Sequence, residues 1–174
     1  MMTLTAVFWM YVILFGIIGG FRGWAKELLV IFSVLLAIAI DTVLLSYVKS
    51  VSILLTNSPG ITQFGLRAGL LLIMTYFGFQ TPNLPAFASG KFAREKLQDL
   101  LLGVALGLIN GYFIAGSIWF YMHQANYPLP YVTAPTDPAV ATTYMKYLPP
   151  VLFGIPNIYF AIIAAFVFVI IVFV

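Results

Sequence analysis

A helix needs about 20 consecutive apolar residues to cross the hydrocarbon core of a bilayer, within a range of roughly 17 to 25. This chain meets that demand five times in 174 residues, at positions 3–21, 28–48, 62–79, 100–122 and 157–174. Composition closes the alternative of a soluble fold. Only 7% of the residues are charged, against about 25% in a soluble domain, and mean hydropathy is +1.07. Five acids and eight bases cannot cover the surface of a soluble domain, so that surface faces lipid. The expected fold is an all-α membrane protein without β-sheet, a compact bundle of about five transmembrane helices.

The first span is expected to stay in the protein rather than leave as a signal peptide, because its leader MMTLTAVF carries no base. The fifth ends on FVFVIIVFV with no polar flank. The natural chain is therefore expected to continue past Val174. Three regions follow: a four-helix part at 1–123, a loop rich in proline and tyrosine at 124–150, and the fifth helix at 151–174.

Lysine and arginine placement sets the expected sidedness, since short cytoplasmic loops are enriched in both. Arg22 and Lys26 lie in the first connection, and Lys91, Arg94 and Lys96 in the third; Lys49 and Lys146 lie on the other side. The N-terminus is thus expected outside and the basic loops in the cytoplasm. Residues 89–99, SGKFAREKLQD, read as an amphipathic helix leading into the fourth span, with Phe92 and Leu97 toward lipid. Prolines at 128, 130, 135, 138, 149 and 150 are expected to keep most of the outer loop free of regular helix. That cap suits either a docking surface or a connector resting on headgroups.

Segment 103–116, GVALGLINGYFIAG, places four glycines and an asparagine inside a span. At about 100° per residue Gly103, Gly107 and Gly111 share one stripe, with Asn110 beside them. Lipid gives helices no hydrophobic reason to associate, so close backbone approach through small residues must supply one. Gly16 and Gly20 repeat the spacing in the first span, and Gly65 and Gly69 in the third. All three stripes read as helix-packing seams. A solute path is the weaker reading, because such paths carry more intramembrane polar groups.

Asp41 and Arg67 sit at matching depths in the second and third spans. Each would cost at least about 2.5–3.5 kcal/mol unpaired. An ion pair between them is expected, with Arg67 about 160° around its helix from Gly65 and Gly69.

Chemistry is sparse. Cysteine is absent, the single histidine, His123, has no second histidine or cysteine to share a metal, and no phosphate-binding glycine loop follows a strand. Neither an enzyme nor a nucleic-acid partner is expected, and no cofactor or metal; a bound lipid or pigment stays open. Partners are membrane lipids and other membrane proteins, or a second copy.

Two segments resemble the colicin V production protein family. GGFRGWAKELL at 19–29 is similar to the stretch after that family's first span, through Arg22, Gly23, Lys26 and Glu27. DLLLGVALGLING at 99–111 is similar to its second signature, Asp99 leading into the glycines. Leu100 and Asn110 stand where family members commonly have arginine, and no acid precedes the first span. The resemblance covers about residues 1–123. It implies an integral protein of the bacterial inner membrane, linked to colicin V production (a toxin) or export and to envelope maintenance, without a catalytic reaction. An accessory subunit of a large respiratory or photosynthetic complex is the second reading. A small transporter built on Asp41 and Asn110 is the third.

Overall fold

A computed structural model of the chain describes residues 4–80, 95–135 and 137–173. Those residues form eight helices and no strand: α1 Leu4–Arg22, α2 Trp24–Tyr47, α3 Lys49–Thr56, α4 Gly60–Phe79, α5 Glu95–Gln124, α6 Pro138–Tyr147, α7 Pro149–Leu152 and α8 Asn157–Phe173. α1, α2, α4 and α5 are long and apolar enough to cross a membrane. α8, with 17 residues, stands at the short end of the spanning range. The chain is a multi-pass helical membrane protein, a bundle of about five helices.

A single residue separates α1 from α2. Gly23 has φ +87°, a conformation that side chains with a Cβ rarely adopt. Its N–H bonds the Gly19 carbonyl at 3.0 Å, closing α1, while its own carbonyl accepts from Glu27 N–H at 3.3 Å and opens α2. Without glycine here the chain could not reverse so tightly.

α2 is the central rod. Val30, Val34 and Ile38 recur at helical spacing and are wholly buried against Leu71 of α4, Ile114 and Tyr121 of α5, and Ile158 of α8. α4 and α5 flank α2 on this face, and α1 lies along α5. Side chains such as Trp9, Ile17, Ile73 and Phe160 point outward and are half exposed or more, as lipid contact demands. The end that joins α2 to α4 and α5 to α8 is the cap end.

The cap differs from the sequence expectation. Residues 49–56 form α3, and the proline-rich stretch, most of which is expected to be free of regular helix, contains α6 and α7. The reason is positional: Pro138 opens α6, and Pro149 and Pro150 occupy the first positions of α7. A proline in the first helical turn lacks only an N–H that had no partner anyway. Leu148 is buried with Phe8, Val12 and Trp119, so the cap helices dock onto α1 and α5. α5 spans 30 residues, about 45 Å at 1.5 Å per residue. Residues 95–99 of the expected amphipathic segment are continuous with it, and Leu97 is exposed. Lys91, Phe92 and Arg94 lie outside the described residues.

Candidate functional site: two buried charge clusters and a glycine seam

The seam joins α1 to α5, running in opposite directions. A Cβ added to Gly19 would collide with the carbonyl oxygen of Gly103 and come within 2.8 Å of Gly107 Cα. One added to Gly107 would meet the Phe15 carbonyl and, at 3.1 Å, Gly16 Cα. A Cβ added to Gly103 would meet the Gly19 carbonyl, and one added to Gly111 would come within 2.8 Å of Val12 Cα. Backbone therefore touches backbone from Gly103 to Gly111, about two turns of α5. A Cβ added to Gly16 or Gly20 would first meet a side chain, Leu108 Cδ2 at 2.7 Å and Val104 Cγ2 at 2.8 Å respectively.

Gly65 and Gly69 do not pack. Nothing stands within 4 Å of a Cβ placed at either, so the third expected seam is corrected to an open face among the described residues. The cause lies on the other side of α4. Arg67 and Leu71 turn toward α2 and α5, which leaves the glycines, about 160° away from Arg67, without a neighbour. α4 makes its close approach elsewhere, at Gly78, whose added Cβ would meet Ser33 Oγ at 2.6 Å and Val30 Cα at 3.1 Å. A lone glycine carries no spacing signal, which is why sequence reading passed over it.

Near the cap end, Asp41 and Arg67 pair as expected. Arg67 Nε donates to Asp41 Oδ1 at 3.0 Å and Nη2 donates to Oδ2 at 2.7 Å, a two-pronged contact between α2 and α4. Arg67 Nη1 donates to Gln124 Oε1, and the guanidinium lies 4.2 Å from the Tyr121 ring centroid. α5 thus supplies a third wall of polar and aromatic groups. Both charged side chains are about nine-tenths buried, so their mutual neutralisation is what makes the site tolerable at membrane depth.

At the opposite end lies a second cluster, which joins Arg22 of the first connection to Asn110 of the fourth span. Glu27 is wholly buried. Arg22 Nη1 donates to Glu27 Oε1 at 2.6 Å, and Nη2 donates to the Phe79 carbonyl at 3.1 Å, one of the unpartnered carbonyls at the end of α4. The guanidinium also covers the Phe79 ring at 4.2 Å. Asn110 Nδ2 donates to Glu27 Oε2 at 2.7 Å and to the Glu27 carbonyl at 3.0 Å. One carboxylate therefore ties α1, α2, α4 and α5 together. Asn110 sits at the edge of the glycine stripe where α2 comes close, so the polar residue binds α2 while the glycines bind α1.

Asp99 completes this end. Its Oδ1 accepts the Trp24 N–H at 3.0 Å and both carboxylate oxygens lie 3.0 Å from the Cβ position of Gly23. An acid at the start of α2 satisfies an orphan donor and complements the helix dipole. A side chain at Gly23 would push it away. Lys26 forms no ion pair among the described residues.

Among the described residues, three buried polar atoms lack a protein partner: Asn110 Oδ1, Ser117 Oγ and Thr75 Oγ1. Among the described residues no three histidine, cysteine or acidic side chains gather as metal ligands. His123 instead faces Tyr127, with Nδ1 and the Tyr127 hydroxyl 3.3 Å apart.

Comparison with protein-family models, with curated proteins and with solved structures yields no match.

Proposed function

We propose that this chain is a non-catalytic structural protein of the bacterial inner membrane, associated with export and envelope maintenance as its resemblance to colicin V production proteins implies. One observation carries the reading. The two segments behind the resemblance, more than 70 residues apart in sequence, dock on each other: Trp24 on Asp99, Gly19 on Gly103, and Glu27 on Asn110. Most of the groups they bring together hold helices. Arg22 and Glu27 neutralise one another, Asp99 caps α2, and the glycines are filled by backbone. Such a constellation supports a rigid membrane scaffold that acts by docking. With Arg22 and Lys26 toward the cytoplasm, the cap made by α3, α6 and α7 would face outward.

Extraction in mild non-ionic detergent followed by native electrophoresis tests it. The expected result is migration alone or as a small oligomer. Co-migration with redox-active or pigmented subunits would favour an accessory role in a respiratory or photosynthetic assembly. That second reading draws on the cap, where Tyr131 and Tyr147 are well exposed. The transporter reading has less support, because Asp41 is engaged by Arg67 on both oxygens. Solute flux into liposomes that vanished with Asp41→Asn would revive it.

A further inference from the structure

The three buried atoms without a protein partner lie on faces that turn toward one place, the junction of α2, α4 and α5. Asn110 and Ser117 are wholly buried and Thr75 is 5% exposed, so lipid-side water does not reach them. A hydroxyl or amide oxygen left bare in an apolar interior carries its full desolvation cost. Buried polar atoms of this kind are the ones that internal water satisfies.

The register of the helices sets their spacing. Asn110 faces α2, with its Nδ2 spent on Glu27 Oε2 and the Glu27 carbonyl, which leaves Oδ1 to accept from another donor. Ser117 follows seven residues later, about 20° around α5 and about 10.5 Å along it, and so faces α2 as well. Thr75 shares the buried face of α4 with Leu71 and Gly78. Leu71 packs in one core with Val34 of α2 and Ile114 of α5, and a Cβ at Gly78 would come within 3.1 Å of Val30 Cα.

α4 runs antiparallel to α5 and is tied at two levels. At the cap end Arg67 bonds Gln124; at the other end the Phe79 carbonyl accepts from Arg22, whose partner Glu27 holds Asn110. Thr75 stands four residues before Phe79, about 6 Å from the Asn110 level toward the cap end, and therefore about 4.5 Å short of Ser117. Both steps exceed a direct hydrogen bond of about 2.7–2.8 Å and match two such bonds in series, about 5.5 Å. One water fits each step, and each would have the two polar partners that a buried water requires. We infer that α2, α4 and α5 enclose a file of two bound waters, running from Asn110 Oδ1 through Thr75 Oγ1 to Ser117 Oγ. The file carries the Glu27 joint from the end of the bundle into its middle and gives α4 a polar hold there. Tyr121, one turn beyond Ser117, lies over Arg67, so the file covers most of the interval between the two charge clusters.

The test uses the full isotope-labelled chain in phosphatidylcholine vesicles and water-edited solid-state NMR. Polarisation from water should reach the carbons of Thr75 and Ser117 as it reaches those of exposed Thr56, and should not reach Val12, which is buried beside α5 on the α1 side. Thr75→Val keeps the shape and removes the hydroxyl. It should abolish the Ser117 signal and lower the melting midpoint in detergent by about 2–4 °C, the scale of one net hydrogen bond in a chain of this length. Thr75→Ser, which keeps the hydroxyl, should keep the Ser117 signal. Three results would overturn the file: no transfer to Thr75 and Ser117 while Thr56 responds, equal transfer to Val12, or a Ser117 signal that survives Thr75→Val. A higher melting midpoint for Thr75→Val would do the same, since that is the response of a dry hydroxyl relieved of its cost.

Discussion

Two stripes with the same spacing meet opposite fates in this molecule. On α5, Gly103, Gly107 and Gly111 press against the backbone of α1; on α4, a Cβ placed at Gly65 or Gly69 would meet nothing within 4 Å among the described residues. Small residues four apart permit close approach, but they do not decide which face of a helix will be covered. That choice falls to the polar groups. Asn110 turns the α5 stripe region inward by bonding Glu27, while Arg67, on the far side of α4 from its glycines, pulls that helix the other way toward Asp41. In a lipid setting, where burying apolar surface yields little, stranding a charge is the costlier error, and the ion pairs set helix rotation.

The largest expected effect tests this ranking directly. Asp41→Ala leaves Arg67 buried beside Gln124 and should lower thermal stability in detergent by about 3–5 kcal/mol. Arg67→Ala together with Asp41→Ala should cost clearly less than the two single losses added, and strict additivity would remove the pair from its controlling role. Next comes the covered stripe. Gly107→Leu must drive α1 from α5 at the Phe15 carbonyl, for about 1–3 kcal/mol and a loosened tertiary signal in near-ultraviolet dichroism.

Smaller effects sharpen the contrast. Gly16→Ala meets only the far end of Leu108, which can rotate, so a loss below about 1 kcal/mol is expected. Finally, Gly65→Ala and Gly69→Ala should leave stability unchanged or raise it by about 0.5–1 kcal/mol each, since alanine loses less backbone entropy in a helix. A drop at either position, seen in the same melts, would mean that a partner covers the α4 stripe and would dissolve the comparison.

Much of the helical plan was legible because it follows from a length requirement. The spans containing α1, α2, α4 and α5 were read from apolar runs, and the Asp41–Arg67 pair from the cost of leaving either charge alone at matching depth. The cap was misread for a local reason: proline excludes helix interiors but welcomes helix starts, and Pro138 and Pro149 sit at starts. Glu27 stands out in the sequence only as part of the family-like segment 19–29. Nothing local announces that Arg22 will fold back over it and that Asn110, 83 positions later, will complete its shell.

By itself, then, the order of residues determined that this chain lives in a membrane as a set of apolar helices, and which buried charges had to find each other. Both are consequences of transfer from water to hydrocarbon, which each segment meets alone. Tertiary structure decided which glycine stripe is occupied and that Glu27 forms a second charged centre with Arg22 and Asn110. Those outcomes depend on how each helix is rotated about its own axis, and rotation is set only when all the partners compete at once.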